Sequence, residues 1–267
     1  MPKKAALRSQ ILKERVELPP AENIPLAAQV EKVEKSVKAK LKGKSYVMDL
    51  RVHSPASLNY FGLEGIDTAP AIVSLAKVKG LDLIAVTDFY SASFIDRVVA
   101  AAKDSPVTII PGVDLRCTLG SCDDVILTCL FPETFSTNRV EEFMRELNIP
   151  PSAKGDEAYR LKQPFDRIIG AVEKNFGVVI PSRMDMTPYR MAVVPKLVDA
   201  YGFRAFDLAY PESNLFFKKN WPKVKFQLFT FSSANSLAQV GSRTAKVKMP
   251  ISGFEGIRGL VSRAVAA

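Results

Sequence analysis

The chain has 267 residues, 47% of them apolar and 24% charged, with a formal net charge of +9 and a single histidine. Such proportions suit a packed globular protein and set aside a disordered one. No apolar run reaches the roughly 18 residues that cross a bilayer, so no membrane span is expected.

The start, Met1-Pro2-Lys3-Lys4, leads into charged residues, and no secretory signal is expected. Three cysteines, an odd number, point to a reducing, cytoplasmic setting and away from a disulfide framework.

Residues 1–44 carry 11 Lys and Arg against 5 Glu, so most of the positive excess lies at this end. Pro19-Pro20 and Pro25 oppose helix before residue 26. Residues 26–42 read as a helix with the apolar stripe Val30, Val33, Val37 and Leu41, closed by Gly43. That stripe is too narrow to hold a helix alone, so it must lie on the main domain or on a partner. The extension 1–44, including Lys3 and Lys4, is therefore expected to meet a protein or a nucleic acid. The competing reading is a solvated tail.

Residues 45–267 alternate short apolar strands with helices. Tyr46–Val52 reads as a strand, Thr68–Lys79 as a helix capped by Thr68, and Leu81–Val86 as a buried strand. Ser93–Lys103 follows as helix, Val107–Pro111 and Asp124–Phe131 as strands, and Asn138–Leu147 as helix. Residues 148–163 read as an exposed excursion. Pro164–Phe176 reads as helix, Val178–Pro181 as strand, Pro195–Tyr201 as helix, Ala205–Ala209 and Phe226–Phe231 as strands, and Gly253–Ala266 as helix. Continuously apolar strands separated by helices predict a parallel sheet covered on both faces, and the repeated order predicts a barrel.

In such barrels chemistry gathers where strands end. Arg51 and His53 follow the first strand, Asp88 and Phe89 the second, Asp114 the third, Arg183 the strand ending at Pro181, and Ser233 to Asn235 the strand ending at Phe231. The runs Asp49-Leu50-Arg51-Val52-His53-Ser54, Thr87-Asp88-Phe89 and Pro111-Gly112-Val113-Asp114 resemble, in order, the motifs of the PHP (polymerase and histidinol phosphatase) family of metal-dependent phosphoesterases. The resemblance covers about residues 46–245 and implies an α/β fold, a distorted (β/α)7 TIM-type barrel with metal ions at the strand ends. It gives His53 and Asp88 as retained positions, Asp114 as the replacement, one carbon shorter, of an implied glutamate, and Asp49 as a retained supporting residue. Arg51, Phe89, Ile126, Arg183 and Asn235 stand where the resemblance implies histidines, and Ser233 where it implies an aspartate.

Phe, Ile and Ser offer no donor comparable to imidazole, and Arg cannot deprotonate to ligate a cation. No metal and no other cofactor is therefore expected. Arg51 and Arg183 are expected to pair with Asp88 or Asp114, whose burial without a partner would be costly. Cys117 and Cys122 could form a metal or redox pair, although buried structural thiols are the commoner outcome. Tyr90, Tyr189 and Tyr210 could line a pocket, and the Lys218 to Lys223 loop around Trp221 could stack on a base.

The leading expectation is a non-catalytic binding or scaffold protein on a PHP-like barrel, engaging a protein or nucleic acid. The alternatives are a phosphoesterase with a reduced site on His53, Asp88 and Asp114, and a sensor holding an anionic small molecule through Arg51 and Arg183.

Overall fold

The computed structural model describes residues 43–264. The helix expected over residues 26–42, its stripe Val30, Val33, Val37 and Leu41, and the bases Lys3 and Lys4 lie outside the described residues. One sheet contains β1 (Lys44–Val52), β2 (Leu83–Val86), β3 (Thr108–Leu119), β4 (Cys122–Leu130), β5 (Val178–Ser182), β6 (Ala205–Asp207), β7 (Gln227–Phe229) and β8 (Ala245–Met249). Their order is β7-β6-β5-β4-β3-β2-β1-β8. The helices are α1 (Thr68–Val78), α2 (Ile95–Ala101), α3 (Thr137–Glu146), α4 (Phe165–Lys174), α5 (Pro188–Asp199), α6 (Asn214–Asn220) and α7 (Gly253–Val261). Among the described residues no helix is long and apolar enough to cross a membrane.

The sheet curls until its ends nearly meet. Beyond β7, Ala234 bridges Val52 in parallel, and the His53 N–H donates to the Ala234 carbonyl at 2.8 Å. The inside of this barrel-like sheet is apolar in its lower half. Met48 and Leu50 pack there with Leu83, Ala85, Ile110, Leu130 and Ile180, over Phe254 and Ile257 of α7. Burying each large apolar side chain contributes roughly 1.5–3 kcal/mol. Outward residues such as Ile84, Val86, Val113 and Leu115 form a second core beneath the helices.

The period-two alternation of β1 breaks between Asp49 and Val52, where the pairing with β2 shifts register. This bulge turns Arg51 and His53 to the inside, after Met48 and Leu50. Charged groups thereby enter the barrel only in its upper layer, at the carboxyl ends of the parallel strands.

The sheet is mixed where an all-parallel one was expected. β4 runs antiparallel to β3 and to β5, and β8 antiparallel to β1. The reason is local: Gly120-Ser121 joins β3 to β4, and a two-residue link permits only a hairpin. Gly120 has φ +61°, as a tight turn requires.

Helix α1 is capped by Asp67, whose carboxylate accepts the Ala69 N–H at 3.3 Å, and Thr68 is its first residue. Helix α5 starts seven residues before the expected Pro195, because Thr187 caps it and Pro188 suits its first turn. Pro195 is carried inside α5, where buried Val194, Leu197 and Val198 hold the helix to the core.

Residues 148–163 are packed against the barrel instead of projecting from it. The Gly155 N–H donates to Phe89 O, the Leu161 N–H donates to Arg116 O, and Ala153 and Leu161 are buried.

Candidate functional site

Asp114, on the inner face of β3, is fully buried and collects three side-chain partners. Arg51 Nε donates to its Oδ2 at 2.7 Å, His53 Nε2 lies 3.2 Å from the same oxygen, and Thr128 Oγ1 donates to Oδ1 at 2.7 Å. Thr128 is held in turn by Ser182 Oγ at 2.8 Å. Burial alone would push the Asp114 carboxyl up. The Arg51 guanidinium, with His53 and Thr128, outweighs burial and holds it below the usual carboxylate range. The expected pairing of Arg51 with Asp114 is thus present.

Asp88 takes a different route. Its carboxylate turns toward the loop after β1 and accepts the Ser54 N–H at 2.7 Å, Ser54 Oγ at 2.5 Å and Ser57 Oγ at 2.6 Å. No guanidinium hydrogen-bonds it among the described residues, and the expected arginine pairing is made by Asp114 alone. Burial raises the Asp88 pKa despite His53 and the two serines. Asp49 faces outward from β1 and supports the closure by accepting the Ser232 and Gly241 N–H groups at 3.1 and 3.0 Å.

Arg183 follows β5 in the left-handed region, φ 55°, and Ser233 follows β7 at φ 51°. The two are bonded: Arg183 Nε donates to Ser233 Oγ at 2.9 Å, and a second guanidinium nitrogen donates to Phe231 O at 2.8 Å. Arg51 also reaches Ser233 Oγ. Arg183 is 3.6 Å from Oδ2 of Asp207, at the end of β6, a separation too long for a hydrogen bond. Among the described residues Asp207 Oδ2 is buried without a hydrogen-bond partner, and burial pushes its carboxyl up to about 6 against the pull of Arg183 and Arg51.

Phe89 is fully buried and meets the His53 ring edge-on, with centroids 5.4 Å apart. The Arg51 and Arg116 guanidinium carbons stand 5.9 and 5.7 Å from its ring. Phe89, Ile126, Ser233 and Asn235 line one open cavity with Arg51, His53 and Arg183, of about 610 Å³. Arg116, Arg190 and Arg243 complete its basic wall. Arg190 pairs with Asp124 at 2.7 Å, and Arg116 stands 3.1 Å from the same carboxylate.

Among the described residues no three His, Cys, Asp or Glu side chains form a group that could hold a metal ion. Cys117, Cys122 and Cys129 are free and buried, and burial raises all three thiols, which suits structural roles. Tyr210 lines the cavity, Tyr189 is exposed outside it, and Tyr90 is buried with its hydroxyl on the Arg116 backbone. Trp221 packs on Phe216, Phe217 and Phe226 and donates to Asp199, so its indole is engaged within the fold.

No family model matches the sequence, and no curated protein matches it. Solved structures match in fold. The lesion-specific endonuclease PfuEndoQ from Pyrococcus furiosus aligns with TM-score 0.61 and 19% identity, over 80% of this chain and 55% of that one. Endonuclease Q in complex with a 27-mer duplex bearing an abasic lesion aligns with TM-score 0.55 and 17% identity, over 80% and 56%. A protein of Bifidobacterium adolescentis assigned as a metal-dependent phosphoesterase aligns with TM-score 0.51 and 11% identity, over 80% and 94%.

The fold is thus a PHP-like α/β barrel, shared with these structures. The chain spans little more than half the length of the two endonuclease structures.

Several side chains of the candidate site and its surroundings went unread in the sequence. Asp207 carried a signal, being a lone acid inside an apolar strand at its carboxyl end. Ser54 and Ser57 lie one and four residues beyond His53, within reach of the next strand end. Arg190 and Arg243 carried none, because they come from a helix and from a loop beyond the last motif.

Proposed function

We propose that this barrel binds nucleic acid without hydrolysing it, the family's metal centre having given way to an arginine–aspartate pair. The observation that carries the reading is Arg51 Nε at 2.7 Å from Asp114 Oδ2. A carboxylate at a position where the resemblance implies a metal ligand instead accepts a guanidinium, and the same oxygen also meets His53. Asp88 is committed to three donors from Ser54 and Ser57. Phe89 and Ile126 offer no donor, and Arg51 and Arg183 would repel a cation. The residues present therefore do not fit a divalent-metal cluster.

Nucleic acid is preferred as partner over protein for two reasons. The cavity wall carries five arginines, and residues 1–44 carry 11 Lys and Arg against 5 Glu. The structural neighbour solved with duplex DNA agrees with this class of partner.

The test is a paired measurement on the full chain. Turnover of bis-p-nitrophenyl phosphate is followed with added manganese or zinc, and metal content is read after dialysis. Single-strand and duplex binding are followed by fluorescence anisotropy. The expected result is no turnover above buffer, substoichiometric metal, and nucleic-acid affinity that falls steeply with salt. Turnover abolished by Asp114→Asn would establish instead the phosphoesterase with a reduced site on His53, Asp88 and Asp114.

A further inference from the structure

The mouth above the Arg51–Asp114 pair holds more cationic capacity than that pair consumes. Five arginines line the cavity, and among the described residues that line it Glu157 is the one acid. Arg243 is exposed and bonded to a backbone carbonyl, that of Ala209. Arg183 spends its bonds on Ser233 and Phe231 and stands off Asp207 at 3.6 Å. Arg116, Arg160 and Arg190 all draw on the single carboxylate of Asp124.

Each guanidinium has five N–H donors, so several are left for a ligand. The His53 side chain lines the same cavity. Arg183 and Ser233 are both held at positive φ where they meet, and backbone strain of this kind collects where geometry serves a ligand.

The rim adds a second chemistry. Phe61 is 71% exposed and its N–H is bonded to the carbonyl of Asn235, a lining residue. Tyr210, 47% exposed, lines the cavity itself. Exposed rings beside a guanidinium-lined cavity of about 610 Å³ match a flat base attached to a phosphate.

We propose that this mouth binds a phosphate monoester carried on a nucleoside, either a free mononucleotide or the phosphorylated end of a single strand. The guanidinium forks take the phosphate oxygens in paired hydrogen bonds, and the rim rings stack on the base. The proposal rests on the non-hydrolytic reading and sharpens it, since an uncleaved phosphate is what such a site would retain.

The test measures affinity of the full chain for four probes: inorganic phosphate, adenosine 5′-monophosphate, a single strand of about ten nucleotides with a 5′-phosphate, and the same strand without it. Wild type is compared with Arg243→Gln and Phe61→Ala, both at exposed positions that leave the core intact. The phosphorylated strand should bind about tenfold tighter than its unphosphorylated twin, and Arg243→Gln should remove most of that difference, as expected when one charge-assisted hydrogen bond is deleted. Phe61→Ala should weaken both strands and leave inorganic phosphate unchanged.

A mononucleotide bound as tightly as the phosphorylated strand assigns the site to the free ligand, and a weaker one assigns it to strand ends. Equal affinity for both strands, or a phosphate preference unmoved by Arg243→Gln, overturns the proposal while leaving general nucleic-acid binding standing. Phosphate release from the mononucleotide would instead overturn the non-hydrolytic reading.

Discussion

Arg51 near the end of β1 and Asp114 on β3 meet in the barrel's upper layer across the intervening β2, 2.7 Å apart and both buried. Arg51→Ala would leave Asp114 as a buried charge with His53 and Thr128 alone, and should lower stability by on the order of 3 kcal/mol in urea denaturation at neutral pH. Because Arg51 holds the Asp114 pKa below its ordinary value, the wild-type contribution is present above the unfolded pKa and lost as pH falls through the folded one. The difference between wild type and Arg51→Ala should therefore narrow under acid conditions, and a constant difference would assign Arg51 a packing role.

Asp207 behaves in the opposite sense. Its folded pKa is raised to about 6 from 3.8, so the folded state binds the extra proton between those values. Stability from this group is greatest below the unfolded pKa and declines as pH rises through 6, by about 2–3 kcal/mol in all. Asp207→Asn should flatten the wild-type stability profile across pH 4 to 6, measured as urea midpoints at constant ionic strength.

Ser57 donates to a carboxylate that burial disfavours. Ser57→Ala should cost about 1–2 kcal/mol once Asp88 is ionised. The cost should shrink at low pH, where a protonated Asp88 needs fewer donors. A pH-independent cost in chemical denaturation would show that the hydroxyl serves the loop and not the charge.

Deletion of residues 1–25 removes Lys3 and Lys4, while Val33→Glu with Val37→Glu keeps those bases and breaks the expected stripe. If the extension meets nucleic acid, the deletion should reduce the slope of log affinity against log salt by about one for every phosphate that the removed bases neutralise. If it meets protein, the double substitution should remove co-purifying partners and leave that slope intact.

The Arg51–Asp114 pair was legible in the sequence because opposite charges gathered at one end of a barrel have few other solutions in a buried layer. Asp88 was half legible. Its need for partners was plain, but Ser54 and Ser57 meet that need from a short loop, without ordering a long guanidinium side chain. The antiparallel course of β4 was not legible, since an apolar run such as Val125–Leu127 records burial on both faces and not direction. Pro195 misled for a related reason: a proline marks a missing N–H, and cannot show that the cap and core packing of α5 suffice without it.

The seam that closes the barrel has a temporal side. Asp49 is joined to Ser232 and Gly241, which lie 183 and 192 residues further along the chain. A growing chain must therefore carry β1 with an unpaired edge for most of its synthesis, whereas the hairpin of β3 and β4 forms as soon as Leu130 has emerged. The same late event brings Ser233 to Arg51 and Arg183, so a half-made chain has no cationic mouth with which to capture a polyanion.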